Sequence, residues 1–232
     1  MSSIVYLVPS VLNDAAIETI PSYIIDIVKN CTIIFAENER TTRRFFKSMA
    51  REIVIDNYEW FTIHNAEEEQ VNIFMQKIKE GKNIAIISEA GCPGIADPGQ
   101  ILVAAAQQMN ATIKPLVGPS SILLALMASG LNGQQFEFVG YLPVDNAERA
   151  KKIKELETAS AKNNATKIFI ETPYRNNQLI EALLKTCKAS TKLCIAAELT
   201  SASEWIKTKT IAEWQKEKTG FHKRPVIFLL QA

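Results

Sequence analysis

The stretch Ile87-Ser-Glu-Ala-Gly-Cys-Pro-Gly-Ile-Ala-Asp-Pro-Gly99 decides the fold class, together with its flanks. It follows an apolar run over residues 84–87, which is typical of a buried strand, and it precedes a helical pattern over residues 99–109. Three of the chain's nine glycines lie in this stretch with two prolines, which predicts a tight loop of fixed shape. Because ligands of open α/β sheets bind at the carboxyl ends of strands, the loop is a candidate binding site, with a plain connecting loop as the alternative. We expect Asp97 to cap the helix that follows.

Outward from this loop, short apolar runs alternate with helical patterns, which predicts a mostly parallel sheet covered by helices on both faces. We expect a break or kink at Pro21, inside a helix whose N-cap is Asn13 or Asp14. The predicted strands cover residues 3–10, 31–36, 53–55, 84–87 and 112–117, and the predicted helices cover residues 15–29, 39–49, 66–80 and 99–109.

A second α/β pattern begins after Pro115 and the Gly-Pro-Ser-Ser turn, so we place a boundary there. This gives an N-terminal α/β domain over residues 1–116 and a C-terminal α/β domain over residues 117–232. In the second domain, helices are predicted over residues 120–130, 146–162, 175–187 and near 211–217, and strands over residues 136–140, 167–171, 192–198, 204–207 and 225–230.

The composition excludes a disordered tail, a collagen-like rod and a long coiled coil. The 232 residues are 47% hydrophobic and 22% charged, as in ordinary globular domains. The first 115 residues carry 10 Lys/Arg against 14 Asp/Glu, and the rest carry 16 against 11. The positive charge of the second half suits an anionic partner such as RNA, with ordinary surface variation as the alternative.

Four scattered cysteines and two distant histidines show no zinc spacing, and we expect no metal. We expect a cytoplasmic protein with reduced thiols and no membrane partner, because no apolar run reaches ~18 residues and no signal peptide is recognisable.

Several charged side chains fall at the ends of predicted strands, where functional groups of α/β sheets gather. A surface ion pair or a helix cap is the alternative for each of them. Neither a G-x-G-x-x-G fingerprint nor a P-loop is present, which disfavours the usual nucleotide sites. The candidates are Glu37 and Arg40, Glu171 and Arg175, Glu198, the His64-Asn65 pair, and the serines of Val117-Gly-Pro-Ser-Ser-Ile122.

These motifs, in this order, resemble the tetrapyrrole-methylase-like (class III) S-adenosylmethionine-dependent methyltransferases, and among them the small-subunit ribosomal RNA cytidine 2′-O-methyltransferases. The resemblance runs from residue 5 to about 230. The matching segments are Val5–Pro9, Ala36–Arg40, Asn65, Ser88–Pro93, Asp97–Gly99, Gly118–Ser120, Gly130-Leu131, Gly140–Pro143, Glu171–Arg175 and Glu198–Thr200. The chain departs from the family where Pro9–Asp14 lacks the usual glycine and where Glu89 replaces an aspartate.

The resemblance implies two α/β domains, with a mostly parallel sheet in the first and a mixed sheet in the second. It also implies S-adenosylmethionine as cofactor, bound in a cleft between the domains, and a homodimer. By the same resemblance, the cofactor-binding residues are Pro9, Ser88, Glu89, Ala90, Gly91, Cys92, Pro93, Gly118, Pro119, Ser120, Ser121, Leu199 and Pro225.

A ribose hydroxyl is a poor nucleophile, so a base should act on it. We expect Glu37 or Asp97 to be this base or to position the acceptor, and Arg40 and Arg175 to hold RNA phosphate or a developing oxyanion. Three functions remain open at this point. They are methylation of ribosomal RNA, methylation of a small molecule such as a tetrapyrrole, and binding of RNA or a nucleotide without turnover.

Overall fold

The computed structural model describes residues 3–63, 67–218 and 220–232, so His64 and Asn65 lie outside the described residues. The chain divides into two compact units, Met1–Ser120 and Ser121–Ala232. The domain boundary after residue 116 stays a prediction.

The first unit is built around a five-stranded sheet in the order β3-β2-β4-β1-β5, and all of its strand pairs are parallel. The mostly parallel sheet predicted for the first domain is thereby confirmed. Its elements are β1 (Ile4–Val8), α1 (Tyr23–Lys29), β2 (Ile33–Ala36), α2 (Glu39–Met49), β3 (Glu59–Thr62), α3 (Glu67–Lys79), β4 (Ile84–Ile87), α4 (Gln100–Gln108) and β5 (Thr112–Pro115).

Successive residues of β4 point to opposite faces of this sheet, which explains its unbroken apolar sequence. Ala85 and Ile87 pack in a core with α1 and α2. Ile84 and Ile86 pack on the other face with α3 and α4. The loop after β4 therefore leads to one face, whereas the loops after its two neighbours, β1 and β2, lead to the other. Such a change of direction between adjacent strands opens a crevice at their carboxyl ends.

The second unit has a mixed five-stranded sheet in the order β6-β7-β10-β8-β9, as predicted for the second domain. Only β6 and β7 pair in parallel among these strands. Its elements are α5 (Ser121–Ser129), β6 (Phe136–Tyr141), α6 (Asn146–Asn163), β7 (Thr166–Ile170), α7 (Asn176–Thr186), β8 (Lys192–Ala197), β9 (Trp205–Thr210), α8 (Ile211–Trp214) and β10 (Val226–Gln231).

The first unit confirms one predicted break and differs from the prediction in two places. The break expected at Pro21 is confirmed, because the helix predicted over residues 15–29 is divided there into a 3₁₀ turn, Ile17–Thr19, and α1. The predicted cap at Asn13 or Asp14 is wrong, because Asn13 instead accepts a hydrogen bond from the Ala15 amide (2.9 Å) in a local turn. The strand predicted over residues 53–55 is also wrong, since a 3₁₀ turn covers Ile55–Asn57 and the strand begins at Glu59.

The helix predicted near residues 211–217 is also shorter than expected, because α8 ends at Trp214. The Thr210 hydroxyl and the Glu213 carboxylate form a capping box at its start. Trp214 is 1% exposed and its indole N–H donates to the Leu193 carbonyl (2.8 Å), so tertiary packing holds this short helix in place.

Candidate functional site

The carboxyl edge of the first sheet carries the loop over residues 88–99, which is held against the end of β1. The Ser10 amide donates to the Gly91 carbonyl (2.8 Å), and the Gly91 amide donates back to the Ser10 carbonyl (3.1 Å). Gly91 has φ of +77°, a conformation that favours glycine. The loop after β4 and the segment after β1 therefore form one fixed backbone surface.

The segment after β5 packs on the same surface through a glycine. A Cβ built on Gly118 would lie 2.2 Å from the Pro9 Cβ, so only glycine fits there. The Cys92 thiol lies 3.5 Å from the Pro119 carbonyl, within hydrogen-bond reach for sulfur. Burial, with a further contribution from the charge of Asp97, raises the pKa of the Cys92 thiol, so it is a neutral packing group at neutral pH. Three of the predicted cofactor segments thus meet at this edge.

Asp97 holds the glycine-rich loop. Its two carboxylate oxygens accept hydrogen bonds from the amides of Gly94 (2.8 Å) and Gly99 (2.7 Å). The predicted cap on the next helix is wrong, because α4 has Gly99 at its N-cap and no side-chain cap. Since both oxygens are engaged by the backbone, the geometry favours positioning over proton transfer for this residue.

Glu37 lies at the end of β2 and reaches the same loop. Its Oε2 accepts a hydrogen bond from the Glu89 amide (2.8 Å). The Asn38 side chain donates to Glu89 Oε1 (3.3 Å) and accepts from the Thr41 amide (3.2 Å), which caps α2. Arg40 is exposed in the first turn of that helix. Sequence reasoning missed the role of Asn38, although its place just before a helical pattern is the usual signal for a cap.

The second sheet also gathers predicted residues at one edge, where β7 and β8 end and the antiparallel β10 begins. Glu171 has a fully buried side chain, and its Oε1 accepts from Arg175 Nη2 (2.7 Å) and Nε (3.0 Å). Glu171 Oε2 is buried without a hydrogen-bond partner among the described residues. Arg175 remains 30% exposed, so the pair presents a fixed guanidinium to the surface.

A second acid–arginine pair lies at this edge and was not predicted. Arg224 donates to Glu198 Oε2 through Nη2 (2.6 Å) and Nε (2.8 Å). This hydrogen-bonded guanidinium lowers the pKa of the Glu198 carboxyl. The Glu198 amide donates to the Pro225 carbonyl (2.9 Å), which brings the predicted residues Leu199 and Pro225 to neighbouring strand ends. The basic segment His222-Lys-Arg, just before the last strand, was the sequence signal that could have indicated Arg224 as a site residue.

The two edges differ in charge. The first edge offers carboxylates beside fixed backbone, and the second offers half-buried arginines. Ser121, the remaining predicted cofactor residue, begins α5 in the second unit. Over residues 3–63, 67–218 and 220–232, no cluster of three or more His, Cys, Asp or Glu side chains is arranged to hold a metal ion. Within the same residues, no helix combines the length and apolar character that crossing a bilayer requires.

An open parallel sheet with a rigid glycine-rich loop at its carboxyl edge is the arrangement in which α/β proteins commonly bind small ligands. The family model of the tetrapyrrole (corrin/porphyrin) methylases matches residues 20–215. The chain belongs to this family, and it is a methyltransferase by that membership.

Curated relatives are similar over nearly the whole chain. "Ribosomal RNA small subunit methyltransferase I" of Vibrio cholerae is 29% identical over 231 residues, which cover 98% of this chain and 76% of the relative. The protein of the same name from Bacillus subtilis (strain 168) is 34% identical over 217 residues, which cover 92% of this chain and 70% of the relative.

Solved structures confirm the fold. The crystal structure of uroporphyrin-III-C-methyltransferase from Thermus thermophilus matches with a TM-score of 0.58 and 16% identity, over 100% of this chain and 93% of that one. The methyltransferase CobJ matches with a TM-score of 0.62 and 16% identity, over 99% of this chain and 92% of that one.

Proposed function

We propose that this protein uses S-adenosylmethionine to methylate a ribose 2′-hydroxyl of small-subunit ribosomal RNA. The observation that carries the RNA substrate is the similarity, over 98% of the chain, to a relative named for ribosomal RNA methylation. This substrate favours a cytoplasmic location, where ribosomes are assembled.

The first edge fits a methyl donor of this chemistry. S-adenosylmethionine carries a sulfonium and an ammonium, and the edge supplies the carboxylates of Glu37, Glu89 and Asp97. Val117 is 71% exposed and Ile95 is 55% exposed, and such apolar side chains suit an adenine ring. In the first unit, the donor would be held by residues of the segments 9–10, 88–93 and 118–120.

When bound, the donor supplies a methyl group activated by positively charged sulfur. The acceptor oxygen must be held about 3–3.5 Å from the methyl carbon and in line with the departing sulfur, which leaves as a neutral thioether. The hydroxyl proton then needs an acceptor. We assign that role to Glu37, while Asp97 keeps the loop in place and Arg40 and Arg175 bind phosphate or a developing oxyanion.

The direct test is transfer of labelled methyl from S-adenosylmethionine to small-subunit RNA or particles that lack the modification. A 2′-O-methyl product resists alkaline cleavage of the adjacent phosphodiester, which maps the acceptor. We expect alkali-resistant product from the wild type and strongly reduced product from Glu37→Gln and Asp97→Asn. Label on a tetrapyrrole but not on RNA would establish small-molecule methylation instead. Full activity of both variants would overturn the assigned roles.

A homodimer belongs to the same proposal. On α5, Leu123 is 52% exposed and Met127 is 79% exposed, and their spacing of four residues places them on one helix face. Light scattering of the purified protein should give twice the mass of 25.8 kDa. A monomer at micromolar concentration would contradict this part alone.

A further inference from the structure

The outer face of α2 carries a row of positive side chains, of which only Arg40 has a role in the proposed methyl transfer. The row consists of Arg40, Arg44, Lys47 and Arg51, all exposed, and we call it the basic stripe. The spacing of four and three residues keeps Arg40, Arg44 and Lys47 on one side of a helix with 3.6 residues per turn. Arg51 lies two residues beyond the helix end, and Lys47 Nζ donates to the carbonyls of Arg51 (3.0 Å) and Ile53 (2.6 Å), which ties this segment to the last turn of the helix.

The opposite side of α2 is buried, so the orientation of the stripe is fixed. Thr42, Phe45 and Phe46 pack in the core beneath the helix. Arg43 lies to the side, paired with Glu39 (2.5 Å) and over the Trp60 ring at 5.1 Å. A rigid helix with a packed inner face thus presents the stripe to solvent.

The stripe starts at the candidate site. Arg40 is in the first turn of α2, three residues after Glu37, and α2 leads from the carboxyl end of β2 back toward the start of β3. At 1.5 Å per residue, Arg40 and Lys47 are about 10 Å apart along the helix. A nucleic-acid strand with one phosphate about every 3.4 Å of its axis places about three phosphates over that length.

Few described carboxylates oppose this charge. Asp14 pairs with Arg44 at 3.1 Å, but these side chains are 80% and 63% exposed. An exposed pair of this kind is weak and exchanges readily for a phosphate contact. Glu52, next to Arg51, is paired with Lys29 (2.9 Å).

We propose that the basic stripe binds the phosphate backbone of the substrate RNA next to the nucleotide to be methylated, an inference that rests on the proposed function. The stripe contacts phosphates and not bases, so it contributes affinity and register without sequence preference.

The test compares Arg44→Gln/Arg51→Gln with Lys79→Gln/Lys82→Gln. The control removes two exposed charges from the end of α3, on the opposite face of the sheet. Fluorescence anisotropy with small-subunit RNA is measured at several salt concentrations, and S-adenosylhomocysteine binding is measured separately. We expect the stripe variant to bind RNA about 10-fold more weakly at low salt, with unchanged S-adenosylhomocysteine affinity. The salt slope, which is the slope of the logarithm of the RNA association constant against the logarithm of the salt concentration, should fall in magnitude by about 2. Arg44→Lys/Arg51→Lys should restore binding.

Equal RNA affinity and equal salt slope in the stripe variant and the control would overturn the proposal. Weakened binding to anionic lipid vesicles with unchanged RNA binding would also overturn it and assign the stripe to a membrane surface. If the wild type binds RNA and transfers no methyl group to it, the proposed function fails. The comparison of salt slopes still shows whether the basic stripe contacts RNA phosphates.

Discussion

The edges of the two sheets are built in opposite ways. At the first edge, backbone hydrogen bonds between Ser10 and Gly91 and the close packing of Gly118 on Pro9 fix the loops. At the second edge, two arginine–glutamate pairs fix the loops, Glu171 with Arg175 and Glu198 with Arg224.

This difference indicates the charge of the ligand that each edge accepts. Carboxylates such as those of Glu37 and Glu89 attract a cation, as the proposed methyl donor is. Arginines that are held by acids and remain partly exposed are suited to an anion such as phosphate.

The largest expected effect is that of Gly118→Ala at the first edge. The new Cβ would lie 2.2 Å and 2.4 Å from two side-chain carbons of Pro9, so the segments after β1 and β5 must separate. We expect a loss of about 2–3 kcal/mol in the free energy of unfolding, measured by urea denaturation, and loss of S-adenosylhomocysteine binding. Gly133→Ala is the matched control, because nothing lies within 4 Å of its Cβ position. Equal stability of the two variants would show that the close packing is not needed.

The next effect is expected at the second edge, for Glu171→Gln. The variant keeps the shape of the side chain but removes the buried charge that orients Arg175. Because Arg175 is partly solvated, we expect a loss of about 1–3 kcal/mol in stability, below the cost of breaking a fully buried pair. KM for RNA should rise more than kcat falls. Glu181→Gln, at an exposed position of α7, is the control, and a KM change shared by both variants would rule out positioning through Arg175.

Asp97→Asn should have a smaller effect on stability. An amide oxygen replaces only one of the two acceptors that hold Gly94 and Gly99, so we expect a cost of about 1–2 kcal/mol. Limited proteolysis should then cleave the loop over residues 88–99 faster than in the wild type. The control Asp56→Asn changes an exposed acid. Unchanged proteolysis of Asp97→Asn would mean that other contacts fix the loop.

The smallest expected effect is the pH dependence contributed by Glu198. Arg224 lowers the pKa of this carboxyl below its unfolded value, so the pair stabilises the fold above the unfolded pKa, and that contribution is lost as the pH falls through the folded pKa. With the side chain 25% exposed, we expect about 0.5 kcal/mol. Stability curves of the wild type and Glu198→Gln between pH 7 and pH 3 should converge as the pH falls. Parallel curves would contradict the pairing.

The pattern of apolar runs was sufficient to predict the parallel sheet of the first unit and most strands of the second, because β4 and β8 are buried on both faces, whereas the mixed pairing of the second sheet was implied by the family resemblance. It failed where local chemistry decides the outcome. Asp56-Asn57 forms a turn where the apolar Ile53-Val54-Ile55 suggested a strand, whereas the break at Pro21 was expected from the proline itself.

The candidate site was predicted in part for a similar reason. Strand ends can be read from the sequence, so Glu37, Asp97 and Arg175 could be singled out. Partners that meet only in three dimensions could not. Arg224 reaches Glu198 from a loop 26 residues away, and Asp97 turns its carboxylate back to Gly94 as well as forward to Gly99.

Calorimetric titration with S-adenosylhomocysteine tests the central claim most directly. The wild type and Glu181→Gln should bind one equivalent per chain, Glu89→Gln should bind about 10-fold more weakly because an exposed carboxylate at the first edge is neutralised, and NAD should not bind. Absence of binding to the wild type, or equal affinity of Glu89→Gln and the wild type, would contradict the assignment of the methyl donor to the first edge.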